Sequence, residues 1–288
     1  MNKTDFDIGK GFFEAGNDEK AIVYLLRFIE QNPNHSSAYE HLGLAQYNSK
    51  KVDDAIFNLT KAIEIDPENA DAYNNKGLIH LEYGENDKAL QDLLEAHRIN
   101  DINIHYISNV ALAYFRLKQY DNALEFGKML LKTEKKDTWG LAFVGDTNSL
   151  LRNYKDAVIN YADLIKLEPK NVRIINSLGY SYLKLGIFED AKKAFNYASI
   201  IEPQNPYVIS NLGFVTYLDS NYKEALSLIN KSLDIDPSYS YAYKNKAKIL
   251  IALNKKEEAI DNLEKSLELG YSEDYDDEVE TLLSQINN

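Results

Sequence analysis

Apolar residues return along this chain at the spacing of a helical face, and the faces themselves return at a longer interval. Within residues 36–69, Leu42 and Ala45 mark one helical stripe, and Leu59, Ala62 and Ile63 mark a second. The paired pattern recurs down the whole sequence. Eight alanines hold its register without a slip: Ala21, Ala55, Ala89, Ala123, Ala157, Ala191, Ala225 and Ala259, each 34 residues after the last. The pattern predicts two helices per 34 residues, repeated in tandem. Each unit then packs only on its neighbours, so the usual expectation of one or two globular domains for 288 residues does not apply.

Numbering each unit so that the marker alanine is position 20 exposes further constraints. Position 8 is Gly9, Gly43, Gly77, Ala111, Gly145, Gly179, Gly213 and Ala247, every one small. Position 27 is small in five units (Ala62, Ala96, Ala198, Ser232, Ser266), and position 32 is proline in five (Pro33, Pro67, Pro169, Pro203, Pro237). Position 7 is often leucine, as in Leu42, Leu178 and Leu212, and position 24 is often large, as in Leu25, Tyr161 and Phe195. Small residues at 8 and 20 let the two helices of a unit approach; one at 27 seats the next unit. Enlarging one, as in Ala191→Leu, is expected to overpack the seam and cost about 1–3 kcal/mol. Proline at 32 stops the second helix. Position 34 then offers an N-cap in Asn69, Asn103, Asp137, Asn171 and Asn205. Gly16, Gly84 and Gly186 share one turn position where positive φ costs little.

These positions together resemble the tetratricopeptide repeat, which has small residues at its eighth, twentieth and twenty-seventh places and a proline near its end. The resemblance covers residues 2–273 as eight units: 2–35, 36–69, 70–103, 104–137, 138–171, 172–205, 206–239 and 240–273. It implies an all-α fold, a right-handed α-solenoid superhelix of helix-turn-helix repeats. Residues 274–288 are expected to form a C-terminal capping helix with Tyr275, Val279, Leu282, Leu283 and Ile286 on its apolar face. Asp274, Asp276, Asp277 and Glu278 crowd its start, where the helix dipole favours negative charge. At the other end, Lys3, Asp7, Lys10 and Glu14 form a polar stripe able to face water. The middle departs from the pattern: Asp101 and Lys135 replace the proline, and Gly127 and Gly140 fall in helices. A change of twist or a soft point is expected near residues 125–145, because helical glycine costs on the order of 1 kcal/mol.

Composition narrows the function. The absence of cysteine excludes disulfides, zinc–thiolate sites and thiol nucleophiles, and suits a reducing cytoplasm. The opening residues have no basic segment followed by an apolar core, so a cytoplasmic protein without membrane insertion is expected. A net charge of −13 opposes nucleic-acid binding and favours a basic or apolar protein partner. His35, His41, His80, His97 and His105 include no pair at one-turn spacing and read as surface or partly packed residues, so no metal site is expected. No nucleophile elbow or phosphate-binding loop occurs; Gly9-Lys10-Gly11 lies inside a helix with no strand before it. No enzymatic activity, catalytic residue or cofactor is expected.

The resemblance places positions 2, 5, 6, 9, 12 and 13 of each first helix on an inner groove. Aromatic residues there are Trp139, Phe143, Tyr180, Tyr207, Phe214, Tyr217 and Tyr241, interleaved with Asp146, Arg173, Asn176, Asn211, Lys244, Asn245 and Lys248. Such a surface suits a peptide or helix, since aromatic and arginine side chains dominate binding hot spots. Asn75, Asn109, Asn211 and Asn245 share position 6; an asparagine ladder there could hydrogen-bond a peptide backbone. The family's carboxylate clamp needs cations that this chain lacks at the corresponding places. Units one to three offer Phe6, Lys10, His41, Asp71 and Asn75; units six to eight offer Asn176, Tyr180, Asn211, Tyr241 and Asn245. Glu-Glu-Val-Asp tails are therefore expected not to bind. The leading expectation is a non-catalytic scaffold or adaptor that holds a protein segment in its groove. The alternatives are a self-associating, assembly-bridging repeat protein and an inhibitor or immunity-type binder of a basic protein.

Overall fold

A computed structural model describes residues 4–271 and 278–287, and among these the chain is all-α with no strand. It forms two compact units, residues 1–147 and 148–288. The first contains α1 (Asp5–Glu14), α2 (Asp18–Gln31), α3 (Ser36–Asn48), α4 (Val52–Ile65), α5 (Ala70–Glu82), α6 (Asn86–Ile99), α7 (Ile104–Arg116) and α8 (Tyr120–Thr133). Helix α9 (Thr138–Leu150) begins in the first unit and ends in the second. The second continues with α10 (Tyr154–Leu167), α11 (Val172–Lys184), α12 (Phe188–Ile201), α13 (Pro206–Leu218), α14 (Tyr222–Ile235), α15 (Ser240–Ala252), α16 (Lys256–Glu268) and α17 (Glu278–Asn287).

Within α1–α8 and within α10–α17 consecutive helices pack as neighbours, and the odd-numbered ones also touch each other: α1–α3, α3–α5 and α5–α7 in the first unit, α11–α13 and α13–α15 in the second. The odd helices thus form a continuous layer in each unit, backed by the even helices. All eight marker alanines are fully buried. Their partners at position 8 explain the size limit. A Cβ on Gly77 would stand 2.7 Å from Leu93 Cγ, and one on Gly179 would stand 2.6 Å from Phe195 Cε1. The large residue at position 24 occupies the space that glycine leaves.

The turn between the helices of each pair has one residue in the left-handed region. Gly16, Gly84 and Gly186 fill it in three repeats; Lys50, Lys118, Arg152, Ser220 and Asn254 adopt the same conformation at φ 64°, 58°, 60°, 61° and 59°. The turn is therefore set by packing even where a side chain must accept the strain. The N-caps form as the sequence predicts. Asn69, Asn171 and Asn205 accept from backbone N–H groups two or three residues on, and His35 occupies the equivalent place in the first repeat, Nδ1 accepting from Ala38 N–H.

One expectation changes. His80 is buried rather than peripheral: its Nδ1 lies 2.5 Å from Glu85 Oε2 and its Nε2 3.7 Å from Asp92, which also pairs with Lys76 at 2.9 Å. Gly127 is not an unfilled gap, because Val144 and Phe143 of α9 pack against it; an added Cβ would stand 2.7 Å from Val144 Cγ2. Position 27 carries buried Leu130 and Leu164 in the fourth and fifth repeats, so neighbouring helices there meet over leucine rather than a small residue. At the start, Asp7 forms a capping box with Thr4, and Lys10 pairs with Glu14 at 4.0 Å. At the end, Val279 is buried, with Leu282, Leu283 and Ile286 packed beside it on Ala247, Leu250 and Leu263. The expected contributions of Lys3, Asp274, Tyr275, Asp276 and Asp277 fall outside the described residues.

Candidate functional site

The odd-helix layer of the second unit holds a cavity of about 310 Å³. Tyr180, Leu183 and Lys184 reach it from α11, and Asn211, Phe214 and Leu218 from α13. Tyr241, Lys244, Asn245 and Lys248 come from α15, while Phe188, Tyr271 and Glu278 complete the wall. The volume is at the lower end of the range for small-ligand or side-chain pockets. Lys244 and Lys248, one helical turn apart, project from the same face of α15.

The floor is a cation–aromatic cluster. Lys248 Nζ stands 5.0 Å from the centre of the Phe214 ring, and Lys244 Nζ lies 5.3 Å and 5.1 Å from the Tyr241 and Tyr271 rings. Those two rings meet edge-on at 4.8 Å. The Lys244 ammonium donates to Tyr271 Oη at 3.1 Å and to Glu278 Oε2 at 2.8 Å, and Lys248 pairs with the other Glu278 oxygen. Burial alone would raise the Glu278 carboxyl. The hydrogen bonds and positive charges of Lys244 and Lys248 outweigh it and hold the pKa at about 2, against an ordinary 4.5. Lys184 Nζ rests 5.5 Å from the Tyr180 ring centre on the opposite wall.

Seven of the sequence-predicted groove residues, Tyr180, Asn211, Phe214, Tyr241, Lys244, Asn245 and Lys248, thus meet at one cavity. Two of the cations expected to face a ligand are already engaged by the chain's own Glu278. The asparagines are likewise committed: Asn109 donates to Asn74 at 2.7 Å, Asn211 to Asn176 at 3.0 Å and Asn245 to Ser210 at 3.3 Å. Each link spans 35 residues, joining position 6 of one repeat to position 5 of the repeat before it. Adjacent odd helices are close enough for these side chains to meet, so part of each amide ties repeats together rather than facing a ligand. Asn75, in the first unit, is half-buried.

Arg173 and Tyr207 do not line the cavity. Arg173 is exposed, and Tyr207, 49% exposed, packs edge-on against Tyr239 at 4.7 Å. Trp139, Phe143 and Asp146 belong to the first unit. Trp139 is 41% exposed and stacks on Phe143 at 4.7 Å; Phe143 packs on Phe115 and against Gly127, so it serves the helix contact more than an open surface. Trp139 borders a separate cleft of about 280 Å³ with His105, Asn109, Leu130 and Asp137. Asp146 is half-buried.

Sequence reasoning missed several wall residues. Leu183, Lys184 and Leu218 stand at positions 12 and 13, on the predicted face, and position alone could have found them. Tyr271 carries a subtler signal, since it occupies position 32, where five other repeats have proline. Phe188, from a second helix, and Glu278, from α17, have no positional signal.

Comparisons with known proteins agree with this architecture. Sequence models described as tetratricopeptide repeat match residues 6–64, 58–91 and 240–269. A TPR repeat-containing protein of Pseudomonas aeruginosa is 42% identical over 41 residues, 14% of this chain; the match spans 39% of that protein's length. Among solved structures, a tetratricopeptide repeat protein from Parabacteroides merdae superposes with a TM-score of 0.67 at 20% identity, over 88% of this chain and 99% of that one. YrrB, described as a TPR protein with an unusual peptide-binding site, gives 0.60 at 18% identity, over 64% and 95%. MamA from Desulfovibrio magneticus RS-1 gives 0.56 at 21% identity, over 59% and 96%. With its unbroken register, its paired helices and these matches, the chain is a tetratricopeptide repeat protein.

Proposed function

We propose that this protein is a non-catalytic interaction scaffold, built from eight repeats at the boundaries given above and a terminal helix, that holds a protein segment on the odd-helix layer of its second unit. The observation that carries this reading is the cavity bounded by Tyr180, Phe214, Tyr241 and Tyr271. Large rings offer much contact area at little entropic cost, and the repeats supply a rigid frame behind them. YrrB, of the same fold, is described by its peptide-binding site, which supports assigning this kind of role to the layer. Among the described residues no helix is long and apolar enough to cross a membrane.

Selection of peptides from a random display library tests the reading. Binders should lose about tenfold in affinity with Phe214→Ala or Tyr241→Ala at unchanged helix content. Binders indifferent to both variants would refute this placement of the surface. A second reading, self-association, draws on Val23 and Phe57, 53% and 60% exposed at the same position of consecutive second helices. Light scattering that shows a concentration-dependent oligomer, abolished by Phe57→Ser, would favour it.

A further inference from the structure

The charge of the odd-helix layer in the second unit runs against that of the whole chain. The protein carries −13 overall, yet α11, α13 and α15 contain Arg173, Lys184, Lys244, Lys246 and Lys248 and no carboxylate at all. Among the described residues, the acidic side chains of this unit lie on the even helices, on α17 and in the turns at Glu168, Glu202, Asp219 and Asp236. Net charge by itself leads to a basic partner; the side chains of these three helices carry the opposite sign. A lysine pair set among aromatic rings is also an uncommon thing to bury, because each ammonium loses water on entering. Here Lys244 is only 8% exposed and has both an aromatic and an ionic partner.

What completes the pair is the single carboxylate of Glu278, the first residue of α17, with one oxygen on each lysine. Among the described residues it is the one acidic side chain in the cavity wall, and it comes from α17 rather than from the layer itself. We infer that this face takes an acidic protein segment carrying an aromatic side chain, and that Glu278 stands in for one of that segment's carboxylates. This rests on the interaction surface proposed above and names the chemistry of its partner. The partner's carboxylate bridges Lys244 and Lys248 in place of Glu278, while its ring stacks in the space between Phe214, Tyr180 and Tyr241. Lys184, across the cavity, faces a second acidic residue of the same segment. A Glu-Glu-Val-Asp tail supplies carboxylates without a ring and is excluded on that ground.

The test uses the full chain and two fluorescein-labelled twelve-residue peptides, one alternating Glu with Phe and Tyr, the other identical except for Lys at each Glu. Fluorescence anisotropy at low salt should show the acidic peptide binding at least about tenfold more tightly, with affinity falling as salt is added. Glu278→Gln should tighten it by about three- to tenfold, because an internal competitor has lost its charge. Lys248→Gln, which leaves the Lys244–Glu278 pair in place, should weaken it. Circular dichroism on both variants checks that helix content is retained. Equal or tighter binding of the lysine peptide, or a Glu278→Gln affinity no higher than that of the unaltered chain, overturns the inference. Failure here is separable from failure of the surface itself: display-selected binders that are basic yet depend on Tyr241 would sink the acidic partner and keep the groove, whereas binders that ignore Tyr241 would sink both.

Discussion

The two units share a skeleton and differ in what they place on it. In the first, the odd helices carry Asp5, Asp7, Glu14, Glu40, Asp71, Glu82 and Asp146 against only Lys10, Lys76 and Arg116. Their polar groups are knitted to one another: Asn69 donates to Glu40 at 3.1 Å, and the Tyr106 hydroxyl donates to Asp71 at 2.6 Å. In the second unit the same helices carry cations and rings that line a cavity. Both units keep buried alanine at position 20 and a large residue over the small one at position 8. The contrast separates two sets of positions. Those between helices are constrained by volume, and those facing away from the packing are released to vary in chemistry.

The largest effects should fall on the shared skeleton and be alike in both units. Phe195→Ala in the second unit should cost about 3–5 kcal/mol and Leu59→Ala in the first about 2–5 kcal/mol, since both side chains are fully buried. Urea unfolding followed by circular dichroism measures this. A near-neutral result in either unit would break the claim that they share one packing rule.

Binding should separate the units. Tyr241→Ala should weaken a second-unit peptide by about 1–2 kcal/mol, while Trp139→Ala, which alters the other cleft, should leave that peptide unaffected. Titration of labelled peptide into each variant decides the matter. Equal losses would erase the distinction between the two surfaces.

Acid should act on the units in opposite directions. Glu278 has a folded pKa of about 2, below its ordinary 4.5, so its contribution is present above pH 4.5 and is lost as pH falls towards 2. Among the described residues, the charged groups paired with it are Lys244 and Lys248. Glu40 is shifted the other way: burial raises its carboxyl, opposed by the hydrogen bond from Asn69. Protonation of Glu40 therefore favours folding as pH falls through its raised value. NMR signals of α17 should report loosening at acid pH before those of α3 do. The reverse order would contradict both assignments.

The smallest effects belong to the turns. Lys118→Gly in the first unit and Ser220→Gly in the second should each stabilise by up to about 1 kcal/mol, because the left-handed conformation strains a residue with a Cβ. Gly186→Ala should destabilise by a similar amount. Thermal denaturation of the three variants resolves these shifts.

The architecture was legible because volume limits repeat in register. Ala21 and its seven equivalents, the small residues at position 8 and the caps at Asn69, Asn171 and Asn205 each report a contact within one or two repeats. The candidate site was legible only in part. Phe214, Tyr241, Lys244 and Lys248 stand at positions whose direction follows from helical geometry, so the sequence could place them on one face. It could not show that Phe143 turns toward Gly127, or that Asn211 and Asn245 spend donors on the preceding repeat. Those outcomes depend on the separation of helices that are 35 residues apart in sequence.

Local periodicity and side-chain size were enough to determine the helices, their pairing and their repeat, because these follow from near-neighbour contacts that every unit makes again. Tertiary structure alone decided which side chains share a cavity, and that the Glu278 carboxylate reaches back 34 and 30 residues to Lys244 and Lys248. An ion pair forms only where folding has already brought its members within a few ångströms and taken them out of water, and no repeat pattern encodes that distance.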